Sequence, residues 1–402
     1  MKNMYRIIAT MVFLSLSLLL QAQKAELSEI KTCLKENKNL DVADSLIRKV
    51  IAMSKEKNNI RHYLTLTEIR RKQYENGNEK LYLRQLKDTA SLFPVLRKMF
   101  LAYETLDSID ALPDKKGKVT PKHRKKNAAF LNLLRQNLYN GGIFSAQKQN
   151  YSEAYDCMDL YLDACRQPLF SHYNYLQEDK QLPQAAYWAV VSARKLKRYS
   201  LMTKYLDLAL ANRDNAPLVL AMLHEAFVEN NEPKKAVEYL KKGFREYSEF
   251  PYFFPRLVDY YSQKNEIDSV KQIVDTAISL EPGNMFYRLA KNNLQLNSKE
   301  YDDCIALGDS LIHNNDQNAE AYYNVGAAYF NKALLRNQKT ENLKNKKKEV
   351  NALYEKALPY IERYRILTPK KTQRWAPMLY TIYLNLNKGK EFEEIDKLMK
   401  NY

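Results

Sequence analysis

The chain has 402 residues, with 45% hydrophobic and 28% charged side chains, a formal charge of +17, nine glycines and thirty tyrosines. That length allows two or three ordinary domains or one elongated array. Nine glycines are too few for a large β-sandwich or a phosphate-cradling α/β enzyme, and they point to an all-helical chain that needs few left-handed backbone positions.

Residues 1–22 read as a secretory signal peptide. Lys2 and Arg6 form a basic start, Ile7 to Leu20 an apolar stretch, and Ala22 a small residue near which cleavage is expected. The apolar stretch is shorter than the roughly 20 residues that cross a bilayer. The chain is therefore expected to be exported and to be periplasmic or associated with an outer membrane. The first cysteine is Cys33, which gives no support to a lipoprotein anchor.

In residues 23–126, Leu27, Ile30, Leu34, Ala43, Ile47 and Val50 fit one helix pair. Tyr63 to Phe100 is helical in period but hard to phase. Asp110 to Lys126 has two prolines and a glycine among bases and reads as a linker or exposed loop. From residue 127 the pattern tightens. Leu138, Gly141, Gly142 and Ser145 precede Ala154, Met158 and Tyr161, and an insertion near 168–184 then shifts the register.

Three units in one register follow, 34 residues apart. Ala186, Ala189, Val190 and Ala193 lead to Met202, Leu206 and Ala209. Leu220, Leu223, His224 and Phe227 lead to Ala236, Leu240 and Gly243. Phe254, Leu257, Val258 and Tyr261 lead to Val270, Val274 and Ala277. Beyond them, Tyr322, Val325, Gly326 and Tyr329 open a unit whose second helix is displaced by an insertion near 331–350. A last pair runs from Trp375 to Met399.

The large–Leu–small–Tyr pattern on a first helix, with small–large–small on a second, resembles the tetratricopeptide repeat (TPR) family. The resemblance implies an all-α fold, a right-handed α-solenoid of antiparallel helix pairs over residues 127–402. The physics agrees: the i, i+3, i+4, i+7 spacing makes one apolar stripe per helix, small residues permit close approach, and each pair is covered by the next.

Catalytic signals are missing. The five histidines make no HExxH pair, and GxSxG, GxGxxG and P-loop patterns do not occur. Cys33, Cys157, Cys165 and Cys304 form no metal-like cluster. No enzyme, cofactor or metal is expected. The resemblance instead implies binding through the concave face. At the family's groove slots stand Tyr139, Tyr187, Tyr252, Tyr287, Tyr323, Tyr380 and Tyr383, which could contact a protein or peptide segment of the envelope or could pack between neighbouring helices.

Two basic runs remain, Lys115–Lys126 and Lys332–Lys348. In the second, Lys344, Lys346, Lys347 and Lys348 form a candidate patch for an anionic lipid or glycan surface, or a solvated helix face. Export removes nucleic acid as a partner. The expected function is a non-enzymatic interaction scaffold, with a glycan- or polymer-binding envelope protein as the alternative.

Overall fold

The computed structural model describes residues 23–54, 56–85, 89–338 and 343–400, so the expected signal peptide lies outside the described residues. Among them every regular element is a helix. No described helix is long and apolar enough to cross a membrane. The chain divides into two compact units, one ending at Tyr239 and the other beginning at Leu240.

In the first unit, α1 (residues 23–36) packs on α2 (Leu40–Met53). There Ile30, Ala43, Ile47 and Val50 share one buried cluster, as their spacing predicts. Helices α3 (Ile60–Tyr82), α4 (Leu92–Asp110), α5 (Arg124–Gln147) and α6 (Tyr151–Asp163) continue the up–down order. One core joins Leu96 and Phe100 of α4 to Leu131 and Leu138 of α5 and Met158 of α6. Packing thus runs unbroken across the expected boundary at 126/127. The expected linker is shorter than its composition suggested. Arg124, Lys125 and Lys126 belong to the first turn of α5, and Arg124 is anchored by Asp107 at 2.8 Å.

After α6 come a short helix, α7 (Tyr175–Glu178), and then α8 (Leu182–Lys195), whose partner is broken into a 3-10 segment, Tyr199–Thr203, and α9 (Leu206–Ala211). Helix α10 (Ala216–Glu229) follows, and α11 (Pro233–Glu246) carries the chain out of this unit.

The second unit holds four antiparallel pairs: α12 (Phe253–Gln263) with α13 (Ile267–Leu280), α14 (Met285–Asn297) with α15 (Tyr301–Asn314), α16 (Ala319–Gln338) with α17 (Leu343–Leu367), and α18 (Thr372–Asn385) with α19 (Gly389–Lys400). Close approach is built in at small residues. A Cβ on Gly326 would collide with Ile361 of α17, and one on Gly308 with Val325 of α16. The insertion near 331–350 lengthens both helices of its pair. Ala333, Val350 and Tyr354 are buried together, and Arg336 meets Glu349 at 2.5 Å, so the extra turns stay paired.

Scarce glycine acquires a different meaning in the structure. The turns inside the pairs do use left-handed residues, but Asn37, Asn39, Arg84, Gln149, Lys197, Asn231, Asn265, Lys299 and Asn387 occupy them. Lys197, Asn231, Asn265 and Lys299 recur every 34 residues. Each closes its helix with the same capping bond, from the next backbone N–H to a carbonyl five residues back: Arg198 to Ala193 at 2.9 Å, Glu232 to Phe227 at 2.8 Å, Glu266 to Tyr261 at 2.9 Å and Glu300 to Gln295 at 2.8 Å. Asparagine tolerates this conformation, whereas lysine and glutamine adopt it at a cost of about 1 kcal/mol.

Candidate functional site: a groove across three helices

Three first helices of the second unit, α14, α16 and α18, line a groove of about 710 Å³. Helix α16 presents Tyr323, Ala327, Phe330 and Asn331, which helical periodicity places on one stripe. The end of α14 supplies Leu296 and Asn297, the turn after it Lys299, and α15 its first residue, Tyr301. From α18 come Gln373, Arg374, Pro377 and Met378.

The electrostatic centre is Arg374. Its guanidinium lies 3.8 Å from the Tyr323 ring centroid and 5.3 Å from that of Tyr364. The two rings pack on each other at 5.1 Å. Nη1 donates to both oxygens of Glu320, at 2.9 and 2.8 Å, and Lys371 donates to the same carboxylate at 3.0 Å. Burial alone would raise the Glu320 pKa, but the hydrogen bonds from Lys371 and Arg374 outweigh it and hold the carboxyl below its usual range. Glu320 therefore fixes Arg374 in place, with the guanidinium over the Tyr323 ring.

Of the seven tyrosines predicted for a binding face, only Tyr323 lines this groove. Tyr287 is buried. Its hydroxyl donates to the Ser248 carbonyl at 2.6 Å, its ring lies 4.6 Å from Phe254, and burial, followed by Glu281, pushes its pKa up to about 12. Tyr383 is buried too, donating to Glu362 of α17 at 2.9 Å. Both are corrections. The rotation of α14 and α18 turns these slots onto neighbouring helices, so the rings pack inside the unit. Tyr380 is half-buried against Phe392 of α19 at 4.8 Å. Tyr252, just before α12, is half-buried with its face under Arg256 at 3.7 Å.

In the first unit, Tyr187 is half-buried with its ring edge-on to Trp188, and Tyr139 is half-buried against Tyr161 at 5.5 Å. Tyr139 therefore borders a second arginine cluster. Arg135 of α5 lies between the rings of Tyr161 and Tyr175, 3.8 and 3.9 Å from their centroids. It donates to Asp179 at 2.6 Å and to the Tyr161 carbonyl at 2.9 Å. Tyr161 also donates to Asp179 at 2.6 Å, and Tyr175 donates to Asn132 at 2.6 Å. Burial opposes ionisation of Asp179, but the bonds from Tyr161 and Arg135 prevail and lower its pKa. This cluster fastens the 168–184 insertion to α5 and α6, because Tyr175 and Asp179 come from the insertion.

The basic run is helical. Lys347 and Lys348 are exposed on α17, Lys346 is half-buried, and the Lys344 side chain lies outside the described residues. Among the described residues no group of three or more His, Cys, Asp or Glu side chains could hold a metal. Sequence reasoning missed every lining residue but Tyr323, including Lys299 and Arg374. Helical spacing relates 373/374 to 377/378, but only the phase of α18 against α16 reveals which stripe faces the groove.

No protein-family model and no curated protein matches the chain. Among solved structures it is similar to a TPR repeats protein from Bacteroides fragilis, with 16% identity over 66% of this chain and 98% of that one and a TM-score of 0.31. A tetratricopeptide repeat protein from Parabacteroides merdae shows 14% identity over 66% and 98% of the two chains, with a TM-score of 0.30. The TPR domain of P58(IPK) shows 11% identity over 95% and 100%, with a TM-score of 0.26. All three carry the repeat type that the residue pattern resembles. The superpositions are loose, and the helix-pair fold rests on the packing given above.

Proposed function

We propose that the chain is a non-catalytic scaffold that receives a segment of another protein in the groove of α14, α16 and α18. The observation that carries this reading is the stripe Tyr323–Ala327–Phe330–Asn331. It combines apolar surface, a small side chain at Ala327 and a side-chain amide, on helices already held by their own cores. A bound polymer chain is less well served. Among the described residues no tryptophan lines the groove, and the Tyr323 face already carries Arg374, which leaves less open aromatic surface for a sugar ring. The basic start and apolar stretch of residues 1–22 support export, which would place the partner in a cell envelope.

A benzophenone amino acid placed at Asn331, compared with one at Lys397 on α19, tests this in envelope extract. Discrete protein adducts are expected at 331 and not at 397, and Tyr323→Ala should remove them. Equal labelling at both positions, or labelling that ignores Tyr323→Ala, would refute the groove as the binding face.

A further inference from the structure

The charge balance of the groove points to the chemistry of its occupant. We infer that the segment it receives is extended and acidic, with carboxylate side chains flanking an apolar anchor; this rests on the groove reading above. Among the described residues two cations, Lys299 and Arg374, line the groove, and no carboxylate does. The one acid that touches a lining cation, Glu320, is already engaged by Lys371 and Arg374 Nη1. Lys299 is exposed and forms no ion pair among the described residues. A carboxylate entering here meets uncompensated positive charge, and a basic segment would be repelled.

The remaining polar lining fits an extended backbone. The amides of Asn297, Asn331 and Gln373 make no hydrogen bond within the described residues, so each can offer a donor and an acceptor to a peptide main chain. Phe330 and Met378 add apolar surface to the lining, and Ala327 contributes only a methyl group there. Apolar surface, free amides and two cations together select a short, extended, acidic peptide.

The test uses the full chain and a displayed library of random octapeptides. Selection should enrich Asp and Glu over the input library. The best peptide, labelled with fluorescein, should bind roughly tenfold more tightly at low salt than its counterpart with Asn and Gln in place of the acids. The gap should narrow in 0.5 M salt, about 4 Å of Debye length. Lys299→Gln, an exposed change that leaves the core untouched, should weaken the acidic peptide several-fold and leave the amide counterpart unchanged; Arg374→Gln should act the same way.

If acidic and amide peptides bind alike while Asn331→Trp abolishes both, the acidic specificity is wrong and the groove reading stands. Selected peptides that ignore Asn331→Trp, or a selection that enriches nothing, would overturn both.

Discussion

The two units hold the same constellation in two settings. In each, an arginine lies against two tyrosine rings and is paired with a carboxylate: Arg135 with Tyr161, Tyr175 and Asp179, and Arg374 with Tyr323, Tyr364 and Glu320. The Arg135 side chain is 7% exposed, whereas that of Arg374 is 36% exposed. Burial decides what the motif does. Enclosed, it is a staple whose removal strands a carboxylate and two rings. Open at a groove edge, it contributes little to folding and leaves charge available to a partner.

Breaking the enclosed copy should produce the largest effect. Arg135→Ala leaves Asp179 without its counter-charge, and denaturant unfolding should show a loss of about 3–5 kcal/mol in the transition of the first unit. A loss below about 1 kcal/mol would mean that the insertion is held by other contacts.

The next effect also belongs to the first unit. Glu104 has a carboxyl oxygen with no hydrogen-bond partner, and burial, then Asp163 and Asp159, push its pKa up to about 7. Its folded pKa is raised. Below the usual carboxylate range both states are protonated and Glu104 costs nothing. As pH climbs from there to about 7, the unfolded chain ionises first, and stability falls by an amount on the order of 2 kcal/mol. Melting temperatures measured from pH 5 to 8 should drop in the wild type, and more shallowly in Glu104→Gln.

A smaller gain is expected at the turns. Lys197→Gly relieves a left-handed lysine with φ 55° and should stabilise the first unit by about 1 kcal/mol in the same unfolding assay. Replacing Asn231 should gain less, because asparagine already tolerates that geometry.

Arg374→Gln should have the smallest effect on stability, under about 1 kcal/mol once solvent screening of this partly exposed pair is counted. Its main consequence should appear in peptide binding. A destabilisation as large as that of Arg135→Ala would erase the distinction between the two arginines.

The repeat was legible because its determinants are local. Apolar stripes such as Ala43–Ile47–Val50 and small residues such as Gly326 declare their role through spacing alone. The site was legible only at Tyr323. Tyr287 and Tyr383 occupy the same kind of slot, yet Ser248 and Glu362 take their hydroxyls, and a residue type cannot reveal which neighbour its helix faces. Glu320 and Arg374 lie 54 positions apart, so no window of helical periodicity connects them. The left-handed turns were hidden differently: their 34-residue recurrence uses Lys and Asn, where glycine would have signalled it.

Amide hydrogen exchange on the full chain, with and without the selected acidic peptide, locates the face that the peptide occupies. Exchange should slow across residues 296–301, 323–331 and 373–378, with 132–136 and 175–181 unchanged. Protection at the Arg135 cluster, with none along α16 and α18, would contradict binding in the groove.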